Sequence, residues 1–135
     1  DIDALDSGNL AGWARTGHTF NAYVGATDGT SPVCRFYLPP AYGDSHFYGR
    51  DPQECDAVRT ANPGFTFEAP DVMHLTLPVA GVCPNATLPV YRVFNARVDT
   101  NHRYTTDRAL RDAMVARGWV AEGEGPDIVT MCAPR

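Results

Sequence analysis

The sequence predicts an α+β fold: two tandem β-β-α-β repeat units with antiparallel sheets, preceded by a partial unit and stapled by disulfides. Three observations carry this. SPVCRFY and LPVYRVF, SHFY and NHRY, and RDPQECDAV and TDRALRDAM read as two copies spaced by about 56 residues. Each copy runs from β-rich segments through a turn to a helix start. Four cysteines lack the CxxC spacing of a zinc site and suit two disulfides in an oxidising compartment.

The elements follow in order. Unit one is assigned to residues 31–76 and unit two to residues 83–132 of a single 135-residue module. The first strand of each contains Pro32-Val33 or Pro89-Val90, and PPAYGD or NARVDT turns the chain into a second strand. Asp51 before Pro52 is an N-cap followed by an N1 proline, and Thr105, Thr106 and Asp107 offer the same cap in unit two. Leu110, Ala113 and Met114 form one apolar helical face. Gly64 and Gly118 are expected as the glycines that end the helices, and Phe65 and Trp119 open the third strands. Gly12–Tyr23 resembles the closing part of a unit, which places a partial N-terminal unit at residues 10–30.

The cysteines vanish in pairs between copies. Cys34 and Cys55 align with Tyr91 and Arg111, while Cys83 and Cys132 align with Ala26 and Thr76. Partners come and go together, which favours Cys34–Cys55 and Cys83–Cys132, each adding about 2–4 kcal/mol.

Composition narrows the function. An apolar fraction of 44% is that of a globular chain, and no apolar run reaches membrane-spanning length. A net charge of −5 without a basic stripe disfavours nucleic acid and anionic membrane surfaces. The opening DIDALDSGN lacks an initiator Met and a signal segment, so the chain reads as a mature or excised piece of a longer protein.

Several residues recur in both copies and invite a chemical reading. His46 and Tyr48, like His102 and Tyr104, share one strand face because strand side chains alternate. With Arg35 and Arg92 nearby, such a face suits hydroxyl-rich ligands; equally, the tyrosines pack in a core and the histidines satisfy turns. Arg35 with Glu68, and Arg92 with Glu122, make either internal ion pairs or polar pockets. Trp13 and Trp119 follow glycines at equivalent positions and serve as sugar-stacking platforms if exposed, or as core plugs if not. The histidines at 18, 46, 74 and 102 are evenly spaced, but only His46 and His102 are repeat equivalents, so no transition-metal site is expected. The Asp-bearing turns GDSH and VDTNH leave calcium more open but lack the dense acidic loop of an EF-hand, so no metal or cofactor is assigned. No nucleophile elbow, P-loop, HExxH motif or close acidic pair is present, so no enzyme activity is expected.

At LPVYRVFN, NHRYTTD and ARGWVAEG the chain resembles a family of repeats of unknown function found on secreted bacterial and fungal proteins. Its units read roughly P-V-Y-R-F-Y-N, H-F-Y-T-T, E-R-D and G-W-x-x-E-G. The likeness covers Ser31 to Met131. Unit one departs from it at Cys34, at Gly49-Arg50 in place of Thr-Thr, and at Phe65 in place of Trp. The resemblance implies a secreted, non-catalytic accessory role beside a hydrolytic or wall-associated catalytic domain in the same full-length chain.

Together these readings predict an extracellular module that binds polysaccharide or cell-wall glycan through Arg35, His46, Tyr48, Glu68, Arg92, His102, Tyr104, Trp119 and Glu122. The alternative is a protein-binding or surface-attachment module, or a spacer, without a sugar site.

Overall fold

The computed structural model describes residues 16–135, so Trp13 lies outside the described residues. Unit one contains β1 (Thr30–Leu38), β2 (Ser45–Gly49), α1 (Pro52–Ala61) and β3 (Thr66–Thr76). Unit two contains β4 (Thr87–Phe94), β5 (His102–Thr105), α2 (Arg108–Ala116), β6 (Val120–Glu122) and β7 (Met131–Pro134). The class is α+β with antiparallel pairing throughout, and both disulfides, Cys34–Cys55 and Cys83–Cys132, are formed. No described helix is long and apolar enough to cross a membrane.

The first strand of each unit is flanked by the other two. β1 pairs with β2 and β3, and β4 pairs with β5, β6 and β7. In unit one the third strand is a single element whose register slips opposite Val33 and Arg35. In unit two a loop splits the equivalent strand into β6 and β7. Past that insertion the repeat alignment changes: Pro32 faces His74 just as Pro89 faces Cys132. The counterpart of Cys132 is therefore His74, not Thr76 as sequence alignment suggests, because the unit-two loop adds residues that an ungapped comparison misplaces.

The strand order is β2-β1-β3-β7-β4-β5, so the units join through their third strands, where Thr76 pairs with Cys132. Both units supply the core at this junction: Val33 and Leu75 from unit one, Val90, Met131 and Ala133 from unit two, all fully buried. The order also bends back on itself, since its two outermost strands, β2 and β5, meet. There the Tyr104 hydroxyl donates to Tyr48 O at 3.0 Å and accepts from Tyr48 N–H at 2.8 Å. Ser45 Oγ donates to Thr100 O at 2.7 Å on the same seam. Gly43, at φ +118°, sits so close that a Cβ would lie 2.5 Å from Thr100 O.

Both helices start as their caps dictate. Asp51 accepts from Glu54 N–H at 2.7 Å while Glu54 Oε2 accepts from Arg50 N–H at 2.8 Å, a reciprocal cap that fixes the Glu54 carboxylate. In α2, Asp107 accepts from Leu110 N–H at 3.1 Å. Gly118 ends α2 at φ +97° as expected, but Gly64 does not end α1. That helix closes at Asn62, whose amide donates to Val58 O. A Cβ on Gly64 would instead lie 2.2 Å from the Tyr42 hydroxyl, so the glycine makes room for a ring.

The expected apolar face of α2 is also shifted. Ala113 is exposed, and the buried residue is Arg111, whose guanidinium carbon lies 4.5 Å from the centre of the Tyr91 ring. Tyr91 and Arg111 occupy the places of Cys34 and Cys55. A helix-to-sheet disulfide in unit one is thus replaced by a cation–π contact in unit two, and a charged residue takes the inward position.

Candidate functional site

The repeated Arg, Glu and His side chains meet in both units, in two different environments. In unit two, Arg92 is only 5% exposed. Its Nε donates to Glu122 Oε2 at 2.8 Å, and its two Nη atoms donate to the Glu54 carboxylate at 2.6 and 2.9 Å. Nη1 also donates to Tyr48 O at 3.2 Å, and the guanidinium lies 4.8 Å from the centre of the Phe47 ring. His102 stacks on Phe94 at 5.1 Å, meets Phe47 edge-on, and places Nε2 3.5 Å from Glu122. Unit one therefore covers this cluster with Phe47 of β2 and Glu54 of α1.

The electrostatics follow from that covering. Burial, reinforced by the Arg92 charge, lowers the His102 pKa to about 4, so the imidazole is neutral at pH 7. Burial pushes the Glu54 carboxyl up, but the Arg92 hydrogen bonds and charge outweigh it and the net shift is downward. For Arg92, desolvation is outweighed by the Glu54 hydrogen bond, and its pKa rises further. Burial raises the Tyr104 phenol. The cluster is an internal ion network.

In unit one the same three residues face solvent. Arg35 Nε donates to Glu68 Oε2 at 2.5 Å and His46 Nε2 lies 3.3 Å from the same oxygen. The Arg35 and His46 side chains are 39% and 36% exposed, against 5% and 8% for Arg92 and His102. Tyr37 packs 5.4 Å from the His46 ring and donates to Asp44 at 2.7 Å; this bond to a carboxylate raises its pKa. Of the expected site residues, Tyr48 and Tyr104 lie in the seam, Arg92, His102 and Glu122 in the covered network, and Arg35, His46 and Glu68 on the open face.

Trp119 stands apart from all of these. It is half-buried and lines two adjoining hollows of about 310 and 360 Å³. The first is polar and is walled by Asn95, Arg97, Asp99, Asn101, Arg103 and Arg117 beside the indole. The second carries Leu110, Met114 and Tyr104 with His18, and it shares Trp119, Arg103 and Arg117 with the first. The polar wall is well braced: Asn95 Nδ2 donates to Asp99 O at 2.7 Å, its Oδ1 accepts from Asn101 N–H at 3.0 Å, and Arg97 pairs with Asp99 at 2.7 Å. The equivalent place in unit one is filled. Tyr42 packs edge-on against Phe65, the counterpart of Trp119, at 5.5 Å over Gly64.

The four histidines share no environment. His18 lines the hollow beside α2, His46 is open, His74 is buried and pairs through its backbone with Tyr23, and His102 is in the network.

One comparison bears on these copies. The domain family described as "Domain of unknown function (DUF5648)" matches residues 3–75 and again residues 46–132. The chain belongs to this family. The two matches overlap, and their ends fall within one residue of the same point of the third strand in each unit. No curated protein and no solved structure is matched.

Sequence reasoning missed Glu54 and Phe47, although D-P-Q-E is a legible capping box and Glu54 its expected reciprocal acceptor. It also missed Asn95, Asn101, Arg103 and Arg117. These do not repeat between units, so the likeness of the two copies does not mark them.

Proposed function

We propose that the module is a non-catalytic, carbohydrate-binding appendage of a secreted protein, and that the hollows flanking Trp119 hold the glycan. The observation that carries this reading is the half-buried indole set beside amide, carboxylate and guanidinium side chains in an open cleft. A flat aromatic face covers the apolar face of a sugar ring, while Asn101, Arg103 and Arg117 reach its hydroxyls. Two adjoining hollows sharing one indole suit an extended chain better than a single monosaccharide. Two disulfides accord with an extracellular setting, where oxidising conditions keep them formed. The plug of Tyr42 on Phe65 restricts the site to unit two, so a single site is expected. Arg92 and His102 act here as scaffold, while Tyr104 both closes the seam and lines the second hollow.

Pull-down with insoluble cell-wall polysaccharides tests the reading. Wild type is expected in the pellet and Trp119→Ala in the supernatant, with His102→Gln retained if folded. Absence of the folded wild type from every pellet contradicts it.

A further inference from the structure

We infer that the open face of unit one, built by Arg35, His46 and Glu68 with Tyr37, is a docking surface for the helix of another β-β-α-β unit. The helix supplies a carboxylate at its third position. This involves none of the residues lining the Trp119 hollows and does not rest on the glycan reading.

The chain contains its own template for the interface. In unit two the same face, Arg92, His102 and Glu122, receives Glu54 from the third helical position of α1. Arg92 thereby satisfies two carboxylates, whereas Arg35 meets only Glu68 and its Nη atoms make no hydrogen bond among the described residues. A planar guanidinium fork offers bidentate geometry that a second carboxylate completes. The packing is head-to-tail, the helix side of unit one onto the strand face of unit two, so the receiving face of unit one is left for the helix side of a further unit.

A second observation places the incoming unit. Tyr23 pairs with His74 through two backbone hydrogen bonds, of 3.0 and 2.8 Å. Since His74 is the counterpart of Cys132, Tyr23 stands where Thr76 stands in the pairing between units one and two. Phe20 and Ala22 then pack on the core at the alternating positions that Met73 and Leu75 occupy. The segment leading to Tyr23 thus enters as the end of a third strand, and the rest of such a unit projects over the Arg35 face.

A second copy of this chain does not fit the role. The position equivalent to Glu54 in α2 is Leu110, aligned through the caps Asp51 and Asp107, and α1 of any copy is already engaged with its own Arg92.

The experiment lengthens the chain by placing a copy of residues 24–76 directly before Val24, in place of residues 1–23. The upstream copy is marked by the exposed change Ala41→Ser, so that the two His46 peptides differ in mass. Histidines are modified with diethylpyrocarbonate and read by mass spectrometry. In the unlengthened chain His46 is expected to react readily and His102 slowly. In the lengthened chain the downstream His46 is expected to slow by about tenfold, and upstream Glu54→Gln to restore much of its reactivity. A downstream His46 that reacts as in the unlengthened chain overturns the proposal. So does an upstream helix whose amides stay unprotected in hydrogen exchange, since docking requires that the added unit fold onto the face.

Discussion

Arg92 and Arg35 occupy the same place in the repeat, and their removal is expected to have very different consequences. Arg92→Ala withdraws the partner of Glu54, whose side chain is 23% exposed, and of Glu122, while emptying the space over Phe47. Breaking one side of a buried pair costs about 3–5 kcal/mol, because the surviving carboxylate remains desolvated and uncompensated. The partial exposure of Glu54 puts the expected value near the lower end, about 3 kcal/mol. Arg35→Ala breaks a solvent-exposed pair and is expected to cost about 1 kcal/mol or less. Urea unfolding under oxidising conditions reads both without added salt. With a slope of about 1.5 kcal/mol/M, Arg92→Ala moves the midpoint down by about 2 M and Arg35→Ala by less than about 0.7 M. Arg92→Leu combined with Glu54→Leu and Glu122→Gln is expected to regain much of the loss, since no carboxylate of the network is then left without its partner. Equal shifts for the two arginines would refute the assignment of one network as covered and the other as open.

Other outcomes follow from the same geometry. His102 has a folded-state pKa near 4, below its unfolded value, so its stabilising contribution is present above about pH 6.5 and is lost as pH falls toward 4. The loss amounts to about 3 kcal/mol, seen as a falling urea midpoint that His102→Gln flattens. Tyr104→Phe removes the hydroxyl that both accepts from Tyr48 N–H and donates to Tyr48 O, and is expected to cost about 1–3 kcal/mol in the same assay. Gly43→Ala drives a Cβ against the Thr100 backbone at a positive φ and is expected to lower the stability by more than about 2 kcal/mol; a neutral result would mean that the β2–β5 seam is not closed in solution.

Much of the fold was legible because the sequence repeats, and repetition reveals scaffold. The pairing of cysteines that disappear together and the Arg–Glu–His recurrence are visible from the copies, and the N-caps at Asp51 and Asp107 from local cap chemistry. The same method hides whatever differs between copies. Arg111 stands in the sequence only as a missing cysteine, yet it takes the inward position on Tyr91 by cation–π stacking. Gly64 has the sequence context of a helix-ending glycine, as Gly118 does, yet it admits Tyr42. The counterpart of Cys132 was misplaced because an insertion in a loop leaves no mark on strand patterning. Burial was least legible. Arg35 and Arg92 have the same strand context, and only the packing of α1 over one of them separates a surface pair from a covered network. The residues around Trp119 were missed for a related reason: a cleft arises where a unit departs from its copy.

The most direct test of glycan binding at unit two is the indole N–H resonance of Trp119, assigned by Trp119→Phe, during titration with soluble oligosaccharides of cell-wall polysaccharides. The expected result is a saturable shift of that resonance together with the Asn101 side-chain amide, while the backbone amides of Arg35 and His46 stay in place. Binding that moves the Arg35 and His46 amides and leaves Trp119 unmoved would contradict it, as would no shift with any oligosaccharide by the folded protein.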